Sequence, residues 1–556
     1  MALDQRHKQL LEENAELFGK SQNLMSLFQE LAENFYPERA DFTVSRSLGD
    51  EFASNLDTSY PIIARRDLGN AFGAMLRPKA KPWFHNRAKR TQLEDEAARK
   101  WLAMTDRVLT RAIYDRESNF VRATKEADHD FATFGQAVLT AELARTPSNG
   151  PVLLHRNWHL RDIRWSENSY GKISAVHRRW TPGARELKQK FPSKVSRQVT
   201  ELAAKTPYKT VNVCHIVVMS AEYEKKFRQP YVSIYIDTDN ETLLEERGSW
   251  NQIYVIPRWE TVSGSQYAYS PAAIAALPDG RLLQAMTYTL LTAGEFAVEP
   301  PMVGVEEALK GAIEIFPGGF TPIDAQYDER LGEALRPLFK GGEKSIPLGL
   351  KMNQDIRDMI SMAFYLDKLA LPAAGMGGMS PMEVSERIGE FIRQALPLFE
   401  PLEDDYNGAL MEMDFDILMR GGAFGPAENI PESLQGQETE FHFESPLSES
   451  IDRLKGQQFL EAKGLAVEAS AVDPLAVQII DWETAHRDAQ HGVGTPPEWM
   501  RTEEQMEEIK ETEAKKKQLA ELMQTVSAGA QVAQQVGGAG QALAPQPEQQ
   551  QENPNG

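Results

Sequence analysis

Cysteine is nearly absent from this chain: Cys214 is the single thiol in 556 residues. One thiol can form neither an internal disulfide nor a zinc cluster, and its apolar, β-branched surroundings read as a buried strand residue, not a nucleophile. Long hydrophobic runs are missing too, and nothing reaches the length of a membrane span. The longest charge-free tract near the C-terminus, Leu522 to Pro547, is mostly Gly, Ala and Gln, too weakly apolar to insert. Met1 to Lys20 is charged throughout, so no signal peptide is read there. A phosphate cradle of the form G-x-x-x-x-G-K-[ST] is lacking. Gly375, Gly377 and Gly378 do not follow a strand, as a dinucleotide fingerprint requires. No Ser, His and acid arrangement has a nucleophile elbow. His155 and His159 stand four apart, the spacing of a metal pair on a helix, but in a strand-like stretch they read as polar strand residues. Glu403, Asp404 and Asp405 lack the glycine and spaced oxygens of a calcium loop and read as a solvated acidic helix segment. These absences set the expectation of no catalytic residue, no metal and no cofactor, and of a chain that is not an enzyme.

What is present is ample apolar content and uneven charge. Hydrophobic residues make up 41% and charged residues 25%, enough to fold most of a chain whose length suggests three to four domains. The net charge of −21 repels phosphate, which excludes tight coating of DNA but leaves weak contact open. Residues 61–100 carry ten Lys/Arg against four Asp/Glu, and residues 151–200 carry eleven against three. Residues 401–450 reverse this, with one against twelve. Such segregation suggests complementary surfaces that meet within one subunit or between copies; ordinary solvated faces are the other reading.

Periodicity orders the chain into helical ends around a β-rich middle. Leu10, Leu17, Leu24, Leu27, Phe28 and Leu31 predict a helix over residues 1–36, stopped by Pro37. Further helices are expected over Ile62–Leu76, Leu93–Tyr114 and Phe120–Leu143. Strands are expected at Val152–Leu154, Ile173–Trp180, Val211–Met219, Tyr231–Ile236 and Gln252–Pro257. Ser270-Pro271 is an N-cap followed by a first-turn proline, and Pro278 is read as opening a longer helix to Ala297, which Pro300-Pro301 ends. Residues 302–350 are short and Gly/Pro-punctuated. A helix follows over Asn353–Leu369, then the uncharged tract Leu371–Met379. Ser380-Pro381 caps a helix expected to reach Met419, kinked at Pro397 and Pro401 and closed by Gly421-Gly422. Helices over Ser448–His491 and Glu503–Val526 precede a Gln-, Gly-, Ala- and Pro-rich tail, 527–556, expected to be disordered.

Four stretches resemble the head-to-tail connector (portal) family of short-tailed double-stranded DNA phages. The first is Arg258-Trp-Glu-Thr-Val-Ser-Gly-Ser-Gln-Tyr-Ala-Tyr-Ser-Pro-Ala272, with Ala276-Leu-Pro-Asp279, Leu282-Leu-Gln284 and Pro300-Pro301 after it; it is similar to the family's entry into its stem helix. The second, Phe316-Pro-Gly-Gly-Phe-Thr-Pro322, is similar to a turn that follows that helix. The third, Met379-Ser-Pro-Met-Glu-Val-Ser-Glu-Arg387 with Leu396-Pro-Leu398, is similar to a Thr-Ala-x-Glu-Val-x-x-Arg pattern that begins a long kinked helix. Ser380 and Pro381 depart from that pattern's Thr and Ala. The fourth is Phe415-Asp-Ile-Leu-Met-Arg-Gly-Gly422 with Phe441-His-Phe-Glu-Ser-Pro-Leu447. Upstream, Asn55-Leu-Asp57, Leu76-Arg-Pro78 and Trp83-Phe84 look like the family's N-terminal domain. The order of these pieces across residues 20–515 makes the match specific; none is a catalytic fingerprint.

The resemblance implies an α+β, predominantly helical subunit with wing, stem, clip and crown regions, assembling into a ring of twelve. The wing would be 1–260, the first stem helix region 261–298, the clip 299–350 and the second stem helix 351–370. A tunnel loop at 371–380, a kinked helix returning to the wing at 381–445 and a crown at 446–526 would follow, before the tail. Ala373, Ala374, Gly375, Met376, Gly377, Gly378 and Met379 would face the DNA channel, where small, uncharged residues let DNA slide. The implied partners are other copies of the chain, the terminase large subunit, the major capsid and scaffolding proteins, tail adaptor and tail proteins, and double-stranded DNA bound without sequence preference, with no membrane. The implied place is a capsid vertex of the virion, after assembly in the host cytoplasm. A different ring-forming virion adaptor, or a nucleic-acid-processing enzyme with a site not visible in sequence, are the rival classes.

Overall fold

The first turn in the molecule is set by Asp4, whose carboxylate accepts from the His7 backbone while the His7 ring accepts from the Asp4 N–H. That reciprocal cap starts α1 (Gln5–Lys20), and a second helix, α2 (Gln22–Phe35), follows. The single helix expected over residues 1–36 is therefore two, interrupted at Ser21, whose hydroxyl donates to the Phe18 carbonyl and accepts from buried Arg164. The structure is a computed structural model that describes residues 3–47, 49–51, 56–79, 82–89, 96–146, 150–223, 227–298, 302–304, 335–337, 342–369, 402–443, 446–470, 479–493, 506 and 509–516. The chain divides into two compact units, residues 1–450 and 451–556.

Helices α3 (Tyr60–Leu76), α4 (Glu96–Ile113) and α5 (Phe120–Phe134) follow, with strand β1 (Phe84–Ala88) between α3 and α4. Gly69 and Gly73 are one turn apart on α3 and let α5 come close: a β-carbon at Gly69 would lie 2.3 Å from His129 Nδ1, and one at Gly73 3.2 Å from Asp128 Oδ2. Phe28, Phe42, Phe72, Phe131 and Phe134 fill the space between these helices. Helix α5 stops at Phe134, not at Leu143 as expected. Gly135 takes φ 72° with the Tyr269 carbonyl packed where a side chain would be, so the chain turns there and Leu139 onward becomes a strand.

Strands β2 (Leu139–Thr146) and β3 (Gly150–Asn157) form a hairpin, and β4 (Ile163–Glu167) and β5 (Ile173–Trp180) a second. Helices α6 (Ala184–Lys190) and α7 (Arg197–Lys205) follow, missed in the sequence because each is short. Strand β6 (Val213–Met219), the one-turn helix α8 (Ser220–Tyr223), β7 (Tyr231–Asp237) and β8 (Thr242–Ser249) complete an antiparallel sheet in the order β4-β5-β6-β7-β8. Side chains alternate across it. Cys214, Ile216, Ile234 and Ile236 pack with Leu10 and Tyr223 on one face, and Val213, Tyr235 and Leu244 with Leu187 and Phe191 on the other. Burial pushes the Cys214 thiol up to about 12, as suits an inert strand residue.

The short strand β9 (Tyr254–Val255) joins β2 at its edge, and β10 (Glu260–Thr261) pairs with β11 (Ala268–Tyr269). Then come α9 (Pro271–Val298), the two-stranded ribbon β12 (Met302–Gly304) and β13 (Leu335–Pro337), α10 (Gly342–Ala363) and α11 (Leu366–Leu369). Leu402 leads into a π-helical turn, Glu403–Gly408, and α12 (Ala409–Arg420). Gly422 at φ 74° closes α12, where the sequence placed the stop. Strand β14 (Thr439–Phe443) then returns to pair with β1, Phe84 against Phe443 and Arg87 against Glu440. Lys89 extends that ladder with an ion pair to Glu438 at 2.7 Å, so the basic 61–100 segment and the acidic 401–450 segment meet within one chain.

The second unit contains most of α13 (Pro446–Ser470) and all of α14 (Trp482–Val493). Phe459 packs on Trp482 with ring centroids 6.0 Å apart and on His486 at 5.4 Å. Residues 509–516 are helical, within the helix expected over Glu503–Val526. The expected kinks at Pro397 and Pro401, and the tail at 527–556, lie outside the described residues. Among the described residues the architecture is α+β and mostly helical, as expected.

Candidate functional site

A long helical hairpin stands out from the packed platform of helices and sheets. Ser270 starts it: its hydroxyl accepts from the Ala273 N–H at 3.1 Å and donates to the Ala132 carbonyl at 2.7 Å. The resulting helix α9 has 28 residues, about 42 Å at 1.5 Å per residue. It continues through Pro278, where a new helix was expected to open. Helix α10 returns beside it. Phe35 lies against both Gly280 and Phe364, while Gly349 lies against Leu290. Numbers rise along one helix as they fall along the other, so the two are antiparallel.

Helix α10 begins eleven residues before the expected Asn353. Gly349 falls in the stretch 302–350 that reads as short and Gly/Pro-punctuated, but here it serves packing within a helix: a β-carbon on it would come 2.5 Å from Leu290 Cδ2. Leu283, Asn353, Ile356 and Ile360 are the buried seam between the helices. The platform grips the base of the hairpin on one side. The Gln284 side-chain carbonyl accepts from the Asp57 and Thr58 N–H groups at 2.8 and 3.0 Å, and its amide donates to the Thr58 carbonyl at 3.1 Å. Arg357 lies over the Tyr60 ring at 5.7 Å. Tyr365, at φ 56°, ends the base and packs on Trp259.

Beyond that base the hairpin has little of its own to pack on. From Leu282 to Gly294 there is no charged residue, yet Leu282, Tyr288 and Leu291 are exposed. On α10, Leu348, Leu350, Met352, Met359 and Met362 are exposed as well. Scattered exposed leucines are ordinary, but a contiguous apolar surface marks an interaction site.

Buried polar ties hold the returning segment, residues 402–420, to the platform. Arg77 donates to Asp128 and, at 2.7 Å, to the Asn407 side chain, and its guanidinium lies over the Tyr406 ring at 4.7 Å. Burial raises the Asp128 carboxyl, with Arg77 opposing. Burial also works against the Arg77 charge, but Asp128 beside it outweighs this and the net shift is upward. The His155 ring sits 3.0 Å from the Asp414 carboxylate with both side chains buried, and burial raises Asp414 while His155 lowers it. His159 instead contacts Asp41, which also takes Arg161. The two histidines thus have separate carboxylate partners. Among the described residues no group of three His, Cys, Asp or Glu could hold a metal ion, and no helix is long and apolar enough to cross a membrane.

Of the residues singled out in sequence, Ala373, Ala374, Gly375, Met376, Gly377, Gly378 and Met379 lie outside the described residues. In the acidic cluster, Asp404 and Asp405 are exposed on the π-helical turn; partial desolvation raises the Asp405 carboxyl, with Arg258 opposing. The Arg77–Asp128–Asn407 network was not found in sequence. Its members are 51 and 330 positions apart, and no local pattern signals such a pairing.

A model of the bacteriophage head to tail connecting protein family matches residues 7–500. The chain is 22% identical over 536 residues to the portal protein of Salmonella phage epsilon15, a match that covers 94% of each chain. Among solved structures it is similar to a chain of the virion of a native gene transfer agent particle, at 9% identity and a TM-score of 0.29. That match covers 66% of this chain and 87% of the other, a likeness too loose to carry over any feature.

Proposed function

The chain belongs to the bacteriophage head to tail connecting protein family, and on that premise we propose that its copies close into a ring around a channel for double-stranded DNA at one capsid vertex. It is a portal subunit and a component of the virion. In this reading α9 and α10 are the stem, β12 and β13 belong to the clip, and the platform of helices and sheets is the wing. The helices after residue 446 form the crown, and the uncharged tract 371–379 is the tunnel loop. Twelve copies assemble in the host cytoplasm with scaffolding and major capsid proteins. The ring docks the terminase large subunit, admits DNA, retains it and receives the tail proteins. The role is structural, and the ATPase that drives packaging sits on another protein.

The observation that carries this reading is the stem hairpin. It is gripped by its wing on one side at the base, and beyond that it presents to water an uncharged stretch of α9, Leu282 to Gly294, and exposed leucines and methionines of α10. A lone subunit gains nothing from such a surface, whereas a ring of hairpins buries it and leaves an inner wall with few cations to hold phosphate. The test is negative-stain imaging and mass photometry of the purified chain at moderate salt. Rings with a central hole, at a mass many times the 62.4 kDa of one chain, are expected; a monomer at every concentration overturns the reading.

A further inference from the structure

The two flanks of the stem hairpin can be told apart by counting from the contact between Leu290 and Gly349. At about 100° per residue, Gly280, Gln284, Leu291 and Val298 fall on one flank of α9, and Leu282 and Phe296 on the other. The same count on α10 puts Leu350, Arg357 and Phe364 on one flank, and Leu348, Met352 and Met359 on the other. Phe35 lies against Gly280 and Phe364, Thr58 holds Gln284, and Tyr60 lies beneath Arg357. The first-named flanks of both helices therefore form one wing-side face, and the second-named flanks form the opposite, open face.

Both faces are largely apolar, with Asp355 as the exposed charge that the same count puts on the open flank, and both are uncovered above the base. The open face carries Leu282, Phe296, Leu348, Met352 and Met359, which are 44–62% exposed. The wing-side face carries Leu291, Leu350 and Val298, which are 56%, 59% and 81% exposed. A two-fold mate would pair one face with itself and leave the other in water, whereas a head-to-tail arrangement covers both at once and closes into a ring. Nucleic acid does not fit either face, since phosphate binding needs cations: α9 has none between Leu282 and Gly294, Arg357 of α10 is taken by the Tyr60 ring at the base, and Lys351 falls on the edge of α10 turned away from α9.

Resting on the ring reading, we infer that the open face of one stem packs against the wing-side face of the next copy, with residues of equal height in register. Leu290 is level with Gly349, so Leu291 is level with Leu348 on the opposite face of the same hairpin. In the ring, Leu348 and Met352 of one copy meet Leu291 and Leu350 of its neighbour. The methionines supply unbranched, adaptable side chains along that seam, so neighbouring stems can shift slightly without opening gaps.

The test uses engineered disulfides in the full chain with Cys214→Ala, which removes the native thiol. Leu291→Cys and Leu348→Cys are made singly and together, with Leu350→Cys plus Met352→Cys as a second pair. Ring mass is first checked under reducing conditions, so a pair that fails to assemble is replaced by the other. After mild oxidation and denaturing electrophoresis, the doubles should give a ladder of covalent multiples ending at the whole ring, and the singles should remain one chain. Dimers from a single variant, or rings whose doubles both give no ladder, overturn the face assignment while leaving the ring intact. Absence of rings from the Cys214→Ala parent and the unaltered chain alike overturns the ring and the face assignment together.

Discussion

Gly349 and Leu290 meet in the outer half of the hairpin, so closely that a β-carbon on the glycine would stand 2.5 Å from Cδ2 of the leucine. Helical glycine ordinarily destabilises by roughly 0.5–1 kcal/mol relative to alanine, so its presence inside α10 reflects what it lets approach. Branching at this position should force the helices apart. Gly349→Val is expected to destabilise by about 1–3 kcal/mol, as overpacking does, and Leu290→Ala should relieve part of that loss in the double variant. Thermal unfolding of the four chains of this cycle measures the coupling. Simple additivity would show that the two residues do not press on each other.

The Arg77–Asp128 pair calls for a different cycle. Arg77→Met leaves the Asp128 carboxylate buried without its cation, which costs on the order of 3–5 kcal/mol. Removing both charges with Arg77→Met and Asp128→Leu should be far milder, because nothing charged is then left in the core. The unfolding midpoint should fall steeply in the single variant and recover in the double. Equal losses in both would mean that the network acts through shape and not through charge.

How far the sequence spoke can be judged from such residues. Ser270, Gly421-Gly422 and Cys214 were legible because their chemistry is local: a hydroxyl caps the next turn, glycines end a helix, and a thiol sits in an alternating strand. The break at Gly135, inside a helix expected to reach Leu143, and the helical place of Gly349, inside a stretch that reads as Gly/Pro-punctuated, were not legible because their reasons lie elsewhere in the chain, in the Tyr269 carbonyl and the Leu290 side chain. Pro278 suggested a boundary, yet α9 continues through it. The charge blocks suggested complementary surfaces, and Lys89–Glu438 joins two of them, but no spacing rule could select those partners. Buried ties such as His155–Asp414 are invisible to periodicity, since a histidine in a strand reads as polar until its partner is placed.

His177 should shape the acid limb of stability. Burial lowers its imidazole from 6.5 to about 4, so the folded state holds it neutral. Its contribution is complete above the unfolded value near 6.5, is lost as pH falls from there toward 4, and does not change further below that. The shift corresponds to on the order of 3 kcal/mol between those limits. His177→Gln removes the titration, so denaturant unfolding of the variant should lose less stability than the parent between pH 6.5 and 4. Parallel curves for the two proteins would mean that His177 is already protonated in the fold.

The tract Leu371–Met379 contains no charged residue, and as the tunnel loop it would form the narrowest ring around the DNA. Gly375, Gly377 and Gly378 have no side chain to hold phosphate, and Met376 and Met379 are uncharged and adaptable. Lysine at position 376 would add one cation per subunit, repeated around the channel, and each phosphate contact strengthens binding in a salt-dependent way. Met376→Lys rings should therefore assemble normally but package DNA more slowly or to shorter length, and raised salt should partly restore the rate. Packaging rate and packaged length in purified heads are the measurements. Parental packaging at low salt would place the tract away from the DNA, and failure of ring assembly would place it between subunits.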